Sequence, residues 1–160
     1  MFLSGKLQFE AGAVPIDTTG AAVATDVVSL KNYRTVTFAI MQGAWAGGTP
    51  AVTLKQYKTV DNSPDLDKAL SFAQYKSKVG LTGTTYTTTA VSSDTFNLTA
   101  TANTITLVEV EAESLDTSNG YDGVQLCIAS PGANADLIGV LAILGEPRYI
   151  ENPLPDPKVD

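Results

Sequence analysis

The residues best able to do chemistry are acidic, and they cluster in three places. Glu109, Glu111 and Glu113 recur at every second position, which on a β-strand puts three carboxylates on one face. A carboxylate pair of that kind is the minimum equipment for glycoside hydrolysis. The interleaved aromatic residues that build a sugar cleft are missing, so a solvated sheet face is the simpler reading. Asp61, Asp65 and Asp67 form one oxygen-rich loop, and Asp116, Ser118, Asn119 and Asp122 another. Either could hold a structural calcium, yet neither has the glycine and terminal glutamate of an EF-hand loop. Asp, Asn and Ser also cap turns through nearby backbone N–H groups, which explains both loops without a metal.

Other catalytic arrangements lack their parts. The chain has no histidine, which removes the commonest general base, the usual zinc ligand and every Ser-His-Asp or Cys-His arrangement. Cys127, the single cysteine, lies in the apolar run 124–128 with no basic neighbour to lower its pKa, and reads as a small buried hydrophobe. Gly43, Gly47 and Gly48 match neither a dinucleotide fingerprint nor a P-loop. The reading is therefore a non-enzymatic chain with no catalytic residue, cofactor or metal. Trp45, the lone tryptophan, sits among small residues, either as an anchor for a partner or as a cover over one end of the fold.

The elements that position these residues are short strands. In 33–41, Val36, Phe38 and Ile40 alternate with Thr35, Thr37 and Ala39, and in 51–60, Val52 and Leu54 alternate with Thr53 and Lys55. The glycine-rich stretch 42–50 between them reads as a hairpin loop. Further strands are expected at 5–10, 26–30, 69–75, 84–90, 94–99, 103–112, 123–129 and 136–144. Residues 63–72 carry a weak helical pattern, and the strand reading is preferred there. Many short strands with no amphipathic helix between them indicate an all-β sandwich or jelly-roll-like fold.

The 160 residues suit one domain, placed at 1–146, with 44% hydrophobic residues to supply its core. Residues 147–160 are expected to form a separate arm, with prolines at 153, 155 and 157 that rule out a helix and suit either an extended segment lying along another surface or a frayed terminus. Arg148, Tyr149, Pro153, Leu154 and Pro155 in this arm, together with Trp45, are the candidate partner-binding residues. A net charge of −7 argues against nucleic acid as a partner, and no apolar run is long enough to cross a membrane. The first residues lack the basic and apolar regions of a secretory signal, so a cytoplasmic site of synthesis is expected.

Several stretches together resemble a known family. They are Leu30-Lys31-Asn32-Tyr33, the loop and strand at 43–56 that begins Gly43-Ala44-Trp45-Ala46-Gly47-Gly48-Thr49-Pro50, Glu113-Ser114-Leu115-Asp116 and Asn119-Gly120-Tyr121-Asp122. The block at 128–137 containing Ser130-Pro131-Gly132-Ala133-Asn134, and Glu146-Pro147-Arg148-Tyr149, complete the set. The chain is similar in these to the decoration or cement proteins of tailed-bacteriophage capsids. The resemblance implies a jelly-roll-like body, a homotrimer on the outer surface of the shell, the major capsid protein as partner, and arms that clip neighbouring capsomers. It implies a virion location with assembly in the host cytoplasm. The alternatives are a tail, neck or baseplate subunit and a carbohydrate-binding β-sandwich adhesin.

Overall fold

The computed structural model describes residues 6–60, 67–80, 83–149 and 154–158. These form two antiparallel sheets packed face to face. The strands are β1 (Gln8–Asp17), β2 (Val23–Ala24), β3 (Val28–Ser29), β4 (Tyr33–Gln42), β5 (Ala51–Tyr57), β6 (Asp67–Ala69), β7 (Gln74–Val79), β8 (Thr87–Ala90), β9 (Thr95–Asn97), β10 (Thr104–Glu111), β11 (Gly123–Ile128) and β12 (Leu137–Pro147). One sheet has the order β1-β12-β4-β10-β7-β8, and the other β2-β11-β5-β6, with β3 also on β11 and β9 also on β5.

The pairing is nested. The first strand pairs with the last, β2 and β3 pair with β11, β4 pairs with β10, and β5 pairs with β6 and β9. A long hairpin wound up in this way is a jelly roll, here with β7 and β8 added to one edge. The expected all-β fold is therefore observed. So is the reason for it, since the inner faces of the central strands carry the apolar residues. From one sheet come Val36, Phe38 and Ile40, Val108 and Val110, and Ile138, Val140 and Leu144. From the other come Val52, Leu54, Val124, Leu126 and Ile128, and all of these are buried.

Several expectations need correction. The loop at 42–50 is not a hairpin, because β4 and β5 lie in different sheets and the loop carries the chain across the sandwich. The strand expected at 69–75 is two strands, β6 and β7, with 70–73 between them. Leu70 is buried there, and Tyr75 stacks on Phe96 of β9 with ring centroids 4.1 Å apart. The strand expected at 26–30 is reduced to β3, with β2 separate from it. β1 runs seven residues beyond its expected end, bent by register shifts between Ala11, Ala13 and Ile16. Such irregularities, with Pro15 in the same stretch, blunt a long edge strand against pairing with other chains. The weak helical pattern lies partly outside the described residues, and 67–69 are strand. Among the described residues no helix is long and apolar enough to span a membrane.

Because Phe38 sits fully buried in the middle of β4, between β10 and β12, Phe38→Ala is expected to cost about 3–5 kcal/mol of stability, measured by urea unfolding.

Candidate functional site

Two carboxylates of the strand trio share a face, and the third does not. Glu109 and Glu111 lie opposite Thr37 and Thr35 on β10, whereas Glu113 falls past the strand end in a 3-10 turn, Ala112–Ser114. Each outer member of the set holds a surface cation: Glu109 binds Lys76 at 3.0 Å, and Glu113 binds Arg34 at 3.3 Å. The arrangement is that of a charged rim.

The second oxygen-rich loop is also occupied from within. Asp116 accepts from Lys68 Nζ at 2.7 Å, from Ser118 Oγ at 3.0 Å and from Asn119 Nδ2 at 2.9 Å. These contacts, the lysine first, hold its carboxyl down at about 2. A cation would have to displace a lysine to bind there. Asp61 and Asp65 of the first loop lie outside the described residues, and Asp67 reaches Lys55. Cys127 is half-buried on the outward side of β11, not in the core, and burial pushes its thiol pKa up.

Trp45 does not project. Its ring packs against the hydrophobic core and its indole N–H donates to Gly48 O at 3.2 Å within the same loop. The loop is shaped by Asp136, which the sequence reading took only as the start of a strand. Asp136 is fully buried, and its Oδ1 accepts from the backbone N–H groups of Ala46 at 2.7 Å and Gly47 at 3.2 Å. Its backbone carbonyl accepts both the N–H and the hydroxyl of Thr18. An aspartate after a turn is common, so nothing in its spacing marked it out.

The arm candidates divide. Arg148 and Tyr149 are exposed just after β12, with Arg148 N donating to Asn32 O at 2.9 Å. Pro153 lies outside the described residues. Leu154 and Pro155 lie against the domain itself: Leu154 is 9% exposed, and the carbonyl of Pro155 accepts from the Tyr33 hydroxyl. Burial, then the charges of Glu10 and Asp156, push the Tyr33 pKa up.

The feature the sequence reading missed is the outer face of the six-stranded sheet that holds β1 and β12. Its cross-strand rows follow from the register. One row runs Phe9, Ile143, Thr37, Glu109, the next Ala11, Leu141, Ala39, Leu107, Lys76, and the third Gly139, Met41, Ile105, Lys78. Each row is mainly apolar until it reaches a charge at β10 or β7. Phe9, Leu137, Met41 and Ile105 remain 41%, 41%, 43% and 39% exposed. The outward positions of the other sheet are more polar, including Thr53, Lys55 and Thr95. A sign of this face was present in β12, where Leu137-Ile138-Gly139-Val140-Leu141-Ala142-Ile143-Leu144 is apolar without alternation, as in strands covered on both sides.

No protein-family model matches the chain, and no curated protein matches it in sequence. Among solved structures, the SPBc2 prophage-derived protein YomS is similar over 88% of this chain and 93% of its own, at 11% identity and a TM-score of 0.49. The structure of infectious bursal disease virus, Gt strain, is similar over 87% of this chain and 40% of its own, at 9% identity and a TM-score of 0.27.

Two outcomes test the local geometry. Asp136→Ala leaves two backbone N–H groups without their acceptor, which should cost on the order of 3 kcal/mol in denaturant unfolding and shift the Trp45 emission to the red. Asp116 has a lowered pKa in the folded protein, so its contribution is complete above the ordinary carboxylate range near 4 and is lost as pH falls through about 2. A carboxyl NMR titration should therefore find it still ionised at pH 3.

Proposed function

We propose that this chain is a structural protein of a tailed-phage virion that binds the outside of the capsid as a decoration or cement protein, and that it acts by binding, not by catalysis. The partner in this reading is the major capsid protein. The protein assembles as a homotrimer on the shell in the host cytoplasm, with no role for nucleic acid or membrane. The family resemblance in the sequence supplies the partner.

The observation that carries the reading is the apolar outer face of the β1-β12-β4-β10 sheet. A half-exposed apolar face with a charged rim has the anatomy of a protein interface. Fully burying one large apolar side chain contributes roughly 1.5–3 kcal/mol, so covering four that are already half-buried contributes on the order of 3–5 kcal/mol before the cost of association. One copy alone would bind modestly. Attachment at many positions adds that free energy to the assembled shell and only to it.

Met41 and Ile105 are cross-strand neighbours on this face, with their side chains away from the core. Met41→Lys combined with Ile105→Lys should leave the melting temperature within a few degrees while lowering co-sedimentation with mature capsids by at least about tenfold. Full occupancy by the double variant would reject the face as the binding site. Immunogold labelling of virions that decorated the tail and left the head bare would reject the capsid position itself.

A further inference from the structure

Along the edge where β1 of one sheet lies beside β2 of the other, the surface already holds a ligand, the chain's own residues 154–158. The strip that reads it is built from the first part of the chain: Glu10 from β1, Asp26 from the connection between β2 and β3, Ser29 from β3 and Tyr33 from the start of β4. The Tyr33 hydroxyl donates to the carbonyl of Pro155, and Ser29 N donates to the carbonyl of Pro157 at 2.7 Å. Lys158 Nζ lies 2.8 Å from Asp26 and 3.6 Å from Glu10. Leu154 and Pro157 are buried. Pro155 and Pro157 restrict the backbone of this segment, and neither has an N–H group that needs a partner. The strip thus recognises the pattern Leu-Pro-x-Pro-Lys with an aromatic hydroxyl, a backbone amide and two carboxylates.

We propose that this strip is an exchangeable peptide site, and that it takes the C-terminal segment of a second copy of the chain when copies are crowded together. The polar contacts that tie the segment to the body all reach residues 10–33, across sequence separations of 122 for the Tyr33 bond and 132 for the Asp26 bond. A site made from one part of a chain and filled by another is satisfied equally by the same segment of a neighbour. That equality is what makes swapping cheap. In dilute solution the covalent tether favours the chain's own segment, and a high local concentration of copies removes the advantage. The occupant is a second copy because the chain itself carries the matching prolines and lysine. The inference concerns contact between copies and does not depend on what covers the outer sheet face.

The test uses two full-length variants, Asp26→Lys and Lys158→Glu. Each alone sets like charges against each other at the contact, which loosens its own segment. When they are mixed, the segment of each chain meets the opposite charge at position 26 only on the other chain. Carbodiimide treatment can then join the lysine introduced at position 26 to the glutamate introduced at position 158, a link that is necessarily between chains. The expected result is that cross-linked peptide, with a dimer band about tenfold stronger than for either variant alone. The double variant should form the same link within one chain and melt like the wild type. A link in the double variant with none in the mixture overturns exchange. No link in either overturns the peptide site. Should Asp26→Lys fail to fold alone, Glu10→Lys replaces it in the same mixture.

Discussion

The pairing of β4 with β12 on one side and β10 on the other is the interaction on which the rest of the molecule depends. β4 meets β12 from Thr35 to Gln42 in unbroken register and again at Tyr33, and it meets β10 over eight consecutive pairs from Thr35 to Gln42. These strands lie far apart in sequence, so their union closes most of the long loops in the nested hairpin. Once it forms, the inner faces of three strands present Val36, Phe38, Ile40, Val108, Val110, Ile138, Val140 and Leu144 as one surface. The second sheet has only to cover it. The two ends of β4 serve different purposes. Tyr33 holds the C-terminal segment, while Gln42 at the far end donates through Nε2 to the carbonyls of Thr99 and Thr101.

The same pairing brings outward-facing apolar residues together. Strand geometry sends alternate side chains to opposite faces, so three strands whose inner positions agree must also align their outer ones. Phe9, Leu141, Ile143, Ala39, Met41, Ile105 and Leu107 become one patch because the register that builds the core leaves them no other arrangement. Solvent alone is a poor cover for such a face, and this links the core to the binding role proposed for the protein. Glu109, Lys76 and Lys78 border the patch on one side, where charge keeps the rim wet.

The loops show how few residues hold a shape once the sheets are in place. Asp136 gathers the N–H groups of Ala46 and Gly47 and so sets the path of the Trp45 loop between the sheets. Asp116 holds the turn at Thr117–Asn119 through side chains instead, its carboxylate accepting from Ser118 and Asn119, with Lys68 as its counter-charge. The Asp136 carboxylate is thus spent on backbone donors, and that of Asp116 on side-chain donors, a lysine among them. The segment 154–158 follows a similar rule, since its proline carbonyls find donors on the body where the chain could otherwise trail into solvent.

Alternation within a single strand was legible in the chain by itself. It placed the strands corresponding to β4, β5, β10, β11 and β12 within a few residues and required a two-layer β fold, because a pattern of period two has one apolar face to bury. The proline spacing likewise spoke against a helix at the terminus, since proline restricts the backbone locally. Only the tertiary structure decided which strands are neighbours, that 42–50 crosses between sheets, that Asp136 organises the Trp45 loop, and that residues 154–158 lie on the domain's own edge. It also decided that the outward residues of β1, β12, β4 and β10 make one apolar surface. Each of these is a relation between residues distant in sequence, and periodicity within a strand carries no information about the partner across the ladder.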